Sequence, residues 1–145
     1  MRKQARIREG FWKFFRWTQE KGISFVLLSG GYDYYIRGIL GDAANDIEII
    51  ANKVDFKNGN RLIHQRENPR CGECGNCKRL YCEDLEEDYY YIGDGPSDVC
   101  AATGAKLVFA RHHLARYMKE TGQEYVPFES FHEIRGYLEP HFRYG

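Results

Sequence analysis

One run constrains this chain more than any other: Tyr89-Tyr90-Tyr91-Ile92-Gly93-Asp94-Gly95-Pro96-Ser97-Asp98. Its aromatic and aliphatic half reads as a buried strand. Gly93, Gly95 and Pro96 then turn the chain, and Ser97 or Asp98 can cap a helix beginning at Val99. Asp94 and Asp98 thereby fall at the carboxyl end of a strand, where open α/β sheets bind ligands. Oxygen ligands of this kind suit a hard cation such as Mg²⁺. The plainer reading is that Asp94 only makes the turn and Asp98 only caps the helix, since Gly and Asp are ordinary turn residues. The run alone leaves both readings open.

The surrounding pattern alternates helices with strands. Residues 9 to 21 read as a helix with Phe11, Phe14, Phe15 and Trp17 on one face, Trp12 on its flank, and Gly22 as its stop. Ile23 to Leu28 is a short apolar run that fits a strand buried on both faces, ending in Ser29-Gly30-Gly31. Tyr32, Tyr35, Ile36, Ile39 and Leu40 then repeat with helical spacing before Gly41. Ile47 to Ala51 reads as a strand. Val54 to Phe56 and Arg61 to His64 read as a hairpin around Asn58-Gly59.

After a polar, cysteine-rich loop from 65 to 78, a short helix is expected near 79 to 87. Another follows at Val99 to Thr103. Leu107 to Ala110 reads as a strand and His112 to Glu120 as a helix stopped by Gly122. Tyr125-Val126 suggests a last short strand. Ser130 with Glu133 makes a capping box before a final helix. The pattern predicts a single α/β domain with a largely parallel sheet and a small β-hairpin.

Composition narrows the function classes. The 145 residues carry 21 Lys and Arg against 21 Asp and Glu, so charge points to neither nucleic acid nor membrane. A 15% aromatic content marks a globular chain. The basic start leads into no apolar signal region, and no run approaches a membrane span, which makes the cytoplasm the expected location. In that compartment the five cysteines are expected as thiols or metal ligands.

Two further features take meaning beside the Gly-Asp-Gly run. Ser29-Gly30-Gly31 lies between a strand and a helix, where a hydroxyl and free backbone N–H groups make an anion site. By itself it is equally a tight turn. Lys78 stands at the start of a short helix, an unfavourable end for a cation by the dipole rule unless an anion lies near. In a parallel sheet the hydroxyl, the ammonium and the paired carboxylates can converge on one edge. Together they supply the positioning and charge neutralisation that phosphoryl transfer requires.

These three segments resemble the second, third and fourth motifs of the haloacid dehalogenase (HAD) phosphatases. Ser29-Gly30-Gly31-Tyr32-Asp33, followed by Ile50-Ala51-Asn52 and a small hairpin, is similar to the phosphoserine-phosphatase-like branch. Closer still are the 2-hydroxy-3-keto-5-methylthiopentenyl-1-phosphate phosphatases of methionine salvage. That resemblance is carried by Ile7 to Phe11, the Cys-x-x-Cys-x-x-Cys-Lys run at 71 to 78, Leu107 to Arg111, and Val126-Pro127-Phe128. It implies a Rossmann-like core and a small phosphorylated metabolite as substrate. Ser29 and Gly30 would hold the phosphate, and Lys78 would balance charge on phosphate and nucleophile. Asp94 would bind Mg²⁺, and Asp98 would support the metal shell or orient Lys78.

The chain departs from this family at its start. The family's nucleophile and its acid/base are the two aspartates of an Asp-x-Asp-x-Thr/Ser motif on the first, central strand, and no such motif occurs here. The expectation is a core lacking that strand and the helical cap. The neighbouring strands would then be left unpaired or forced together. A truncated product, a split half completed by an N-terminal segment, and a catalytically dead phosphate- or protein-binding module are the three open readings. The 145 residues alone are expected to lack phosphatase activity.

Cys71, Cys74, Cys77 and Cys82 are spaced so that a structural Zn²⁺ is conceivable, with His64 as an alternative ligand. A reduced, metal-free loop that positions Lys78 and an Fe–S or redox site are the competing readings. Cys100 is expected in the core. His112, His113 and His132 are expected at the surface or in packing.

Overall fold

Strands alternate with helices as the punctuation of the sequence requires. The structure, a computed structural model, describes residues 8–55, 61–63, 78–85 and 87–142. The chain divides into two compact units: Met1–Phe25 with Phe128–Gly145, and Val26–Pro127. No helix among the described residues is long and apolar enough to cross a membrane.

The first unit is built from α1 (Phe11–Glu20) and α6 (Phe131–Leu138). The aromatic face of α1 is buried as its spacing predicts, with Phe11, Phe14, Phe15 and Trp17 inside and Trp12 at the surface. Phe131 meets both Phe11 and Phe14 with ring centroids 5.3 Å apart, and Phe25 lies 5.5 Å from Phe15. Tilted and edge-on ring pairs of this kind contribute about 0.5–1.5 kcal/mol each beyond their buried area. Ile134 and Leu138 complete the inner face of α6. The Glu133 carboxylate accepts the N–H groups of Glu129 and Ser130 at 3.2 and 3.3 Å, the half of the capping box that closes the helix entrance. Helix α1 ends at Gly22, whose φ is +68°. The Gly22 N–H bonds the Gln19 carbonyl and the Ile23 N–H bonds the Thr18 carbonyl, which is a Schellman ending.

That ending moves the first strand. Ile23 is spent on the helix terminus, so β1 runs over Val26–Tyr32 instead of ending at Leu28. Its register with β2 (Glu48–Asp55) is Val26 to Glu48 and Leu28 to Ile50, then Tyr32 to Asn52. Four residues of β1 therefore span two of β2, and the excess falls on Ser29-Gly30-Gly31 as a bulge. The predicted strand at 47–51 and the first arm of the hairpin are one continuous strand. The first half of β2 pairs with β1 in parallel, and its end pairs antiparallel with β3 (Arg61–Ile63). Residues 56 to 60, with the Asn58-Gly59 turn, lie outside the described residues. Helix α2 (Asp33–Leu40) follows β1 directly, and a 3₁₀ segment (Gly41–Asp46) leads into β2.

The rest of this unit is a second, all-parallel sheet of β4 (Tyr90–Gly93), β5 (Leu107–Ala110) and β6 (Val126–Pro127) in that order. Three helices accompany it: α3 (Lys78–Glu83), α4 (Val99–Ala102) and α5 (His112–Glu120). Tyr91, Val108, Ala110, Ala101, Ala102, Leu114, Met118 and Cys82 form its buried cluster, and Leu28 of β1 packs against that cluster. The fold is the α/β core that the pattern predicts, and it is consistent with the Rossmann-like core that the resemblance implies. Its single sheet, however, is two three-stranded sheets among the described residues, with β1 and β4 each at an edge and not hydrogen-bonded to one another.

Candidate functional site

Asp98 is the centre of the site. It sits at the end of a 3₁₀ turn (Pro96–Asp98) and is 6% exposed. Of the readings the sequence leaves open, the Asp98 cap is not the one observed, since its side chain makes no capping bond to α4. It turns back on its own loop, and its Oδ2 accepts the backbone N–H groups of Asp94 and Gly95 at 3.1 and 3.0 Å. These two bonds close the loop that follows β4. Gly93 is required here, because a Cβ at that position would lie 2.6 Å from Asp98 Cγ.

The other carboxylate oxygen faces two side chains. Tyr91 donates its hydroxyl to Asp98 Oδ1 at 2.6 Å, and the Lys78 ammonium reaches the same oxygen at 2.7 Å. Lys78 Nζ also donates to Ser97 Oγ at 3.2 Å. Helix α3, which begins at Lys78, packs against both α4 and β1. The anion expected near the start of that helix is Asp98.

Burial by itself raises the pKa of the Asp98 carboxyl. The charge and hydrogen bond of Lys78, the Tyr91 hydroxyl and the Gly95 N–H outweigh it and hold the group below the usual carboxylate range. Tyr91 moves the other way. Burial first, then the Asp98 charge, push its phenol far above its ordinary value, so it stays a donor.

Asp94 lies just beyond the carboxyl end of β4 and is exposed. Its carbonyl accepts the Leu114 N–H at 3.2 Å, and the Gly93 carbonyl accepts the Arg111 N–H at 3.2 Å. The start of α5 is thereby tied to the loop. His112 sits there with φ +47° and is hydrogen-bonded to Arg111 Nη2. A positive φ is uncommon outside glycine and marks local strain.

The structure thus brings Lys78, Asp94 and Asp98 to one end of one sheet. Ser29 and Gly30 lie in the bulge of β1, and the Ser29 side chain is outside the described residues. Tyr91 was not predicted, and local spacing holds no signal for it, since its partner is seven positions away across a turn. A surface cleft of about 230 Å³ in the first unit, lined by Trp12, Lys13, Arg16, Trp17, Glu20 and Arg135, contains none of the predicted site residues.

The zinc reading gains no support. Cys82 is buried in the core cluster, and among the described residues no group of three or more His, Cys, Asp or Glu is placed to hold a metal ion. Cys71, Cys74, Cys77 and His64 lie outside the described residues. Cys100 is exposed, not buried, because Ala101 and Ala102 take the inner positions of the short α4.

The family model of haloacid dehalogenase-like hydrolases matches residues 1–103. The chain belongs to this family. Among its relatives, the 2-hydroxy-3-keto-5-methylthiopentenyl-1-phosphate phosphatase of Bacillus velezensis is 32% identical over 143 residues, covering 94% of this chain and 61% of that protein. The phosphatase of the same name from Bacillus cereus is 34% identical over 140 residues, covering 92% and 64%. That from Bacillus anthracis is 34% identical over 137 residues, covering 90% and 63%. This HAD-family chain therefore spans less than two thirds of the length of the curated relatives it matches.

Proposed function

We propose that this chain is the lysine- and carboxylate-bearing part of a Mg²⁺-dependent phosphomonoesterase acting in the cytoplasm on a small phosphorylated metabolite. The name shared by its relatives makes the methionine-salvage phosphate ester the first substrate to try. The observation that carries this reading is the Lys78 ammonium, held by Asp98 and Ser97 beside the exposed Asp94 at the end of β4.

Phosphoryl transfer asks a protein to place a phosphate and neutralise its charge more than to supply covalent chemistry. Lys78 supplies the fixed positive charge, and the Ser29 hydroxyl with the Gly30 N–H supply donors to phosphate oxygens. Asp94 is the residue that fits a hard cation, since its carboxylate is exposed and oxygen-bearing. Bound there, Mg²⁺ would withdraw charge from the phosphate oxygens. Asp98 does not fit that role. Four donors already occupy its two oxygens, about all the lone pairs a carboxylate offers. Its part is to hold Lys78 and the loop.

The aspartate nucleophile would come from outside these residues, on an N-terminal segment that carries Asp-x-Asp-x-Thr. The second reading is a HAD-like module that binds a phosphate compound or a protein without catalysis.

Hydrolysis of p-nitrophenyl phosphate with and without Mg²⁺ separates the two. The 145-residue chain is expected to be inactive. With an Asp-x-Asp-x-Thr segment joined or added upstream, activity is expected to appear, to vanish in Asp94→Asn, and to fall about 10²–10³-fold in Lys78→Met. Turnover by the 145-residue chain that Asp94→Asn abolishes would refute the external nucleophile. Inactivity of both forms, with the chain folded, would favour the binding module.

A further inference from the structure

Three consecutive tyrosines precede the site, and they differ in surroundings. Tyr90 is 39% exposed, and the Tyr89 hydroxyl is spent on the Ala101 carbonyl at 2.7 Å. Only Tyr91 is buried with its hydroxyl on a charged group, Asp98 Oδ1. That oxygen is also the one Lys78 holds. Two donors of unequal stiffness therefore share one acceptor. The phenol has two rotatable bonds and a ring packed in the core, whereas the lysine has four and begins a six-residue helix.

We propose that Tyr91 is a positioning residue for Lys78. The Asp94 and Gly95 N–H groups anchor the Asp98 carboxylate at Oδ2, and the Tyr91 hydroxyl fills one lone-pair direction of Oδ1. The ammonium is left one docking geometry. Among the described residues Asp98 and Ser97 take two of the three ammonium protons, and the third would serve an incoming anion. Without the phenol, its lone-pair direction on Oδ1 falls vacant, and the ammonium can shift into it and lose its set orientation. Tyr91 never leaves its protonated state in the working pH range, so this restraint is always present.

The inference rests on reading Lys78 as the cation that meets phosphate, and the test keeps the two apart. Its first arm needs no phosphate. In the full chain labelled with ¹⁵N-lysine, the ammonium signal that disappears in Lys78→Met is that of Lys78. A hydrogen-bonded, fixed ammonium exchanges slowly with water. In Tyr91→Phe, which keeps the ring, its exchange is expected to quicken at least about fivefold or the signal to broaden away. An unchanged Lys78 signal in a folded Tyr91→Phe chain overturns the proposal. Tyr91→Met serves if Tyr91→Phe does not fold.

The second arm titrates inorganic phosphate. Its Kd is expected to rise about 5–10-fold in Tyr91→Phe, and Tyr91→Phe is expected to add nothing in a Lys78→Met background. Equal losses in both backgrounds would mean that Tyr91 acts on the fold and not through Lys78, and would overturn the proposal. If the unaltered chain binds no phosphate, the phosphate reading of Lys78 falls, and the ammonium signal alone decides on Tyr91.

Discussion

At the scale of single residues, Asp98 joins stability to the site. Its folded-state pKa is depressed, chiefly because Lys78, Tyr91 and Gly95 outweigh the effect of burial. A depressed carboxylate stabilises the fold fully above its unfolded value and loses that contribution as pH falls through its lower folded value. With an ordinary aspartate near pH 4, the contribution is complete above about pH 5 and is lost below pH 4. Asp98→Asn is therefore expected to destabilise the chain clearly at pH 7 and less at pH 3, below the ordinary aspartate value, where the charge-linked contribution of the wild-type carboxylate is already falling. Urea unfolding at both pH values measures this. An equal deficit at both would show that the Asp98 charge does not matter to the fold. The sequence made Asp98 visible as a carboxylate after a Gly-Asp-Gly turn. It left open whether that side chain pointed to a cation, a helix end or a lysine. The answer depends on Tyr91 and Lys78, residues brought to Asp98 by tertiary packing from seven and twenty positions away.

At the scale of elements, the legible pieces are those with sharp chemical ends. Strand β5 and helix α5 occupy the predicted residues, and α1 and α5 both stop at a glycine of positive φ. Gly122 has φ +70°, and it and Gln123 bond back to Lys119 and Met118 as the Schellman ending requires. Gly136, inside α6, has no such conformation and has open space around it. Opposite effects follow from one substitution. Gly122→Ala is expected to cost about 1 kcal/mol, from the left-handed backbone it must adopt. Gly136→Ala is expected to gain about 0.5–1 kcal/mol, from the entropy removed from the unfolded chain. Thermal or urea unfolding of the two variants reads both signs. Strand β1 was less legible. Two consecutive glycines read as a turn, and only the pairing with β2 shows that the chain stays extended through them with a bulge. Periodicity describes one element at a time, and a bulge is a relation between two.

At the scale of the whole molecule, the sheets pose the remaining question. Among the described residues β1 pairs only with β2, and β4 only with β5, although Leu28 of β1 packs on the core beneath β4. A strand edge presents backbone N–H and C=O groups that seek a partner, and natural sheets pair, cover or charge such edges. Neither Val26-Leu27-Leu28 nor Tyr90-Tyr91-Ile92 carries a charge or proline to discourage pairing. Among the described residues neither edge is paired with a further strand, so each can accept an added one. A parallel strand is the natural guest, since β1, β2, β4, β5 and β6 all run in parallel pairs. A peptide of an apolar strand ending in Asp-x-Asp-x-Thr is expected to bind the chain, raise its Tm, and slow amide exchange at residues 26–28 and 90–92 together. A strand that protects both edges would seat the aspartates beyond the same sheet end as Asp94, as the external nucleophile requires. Protection of one edge alone would instead indicate ordinary edge pairing and would leave no place for a shared nucleophile. Hydrogen exchange followed residue by residue distinguishes these outcomes, and it does so whether or not the assembled protein hydrolyses a phosphate ester.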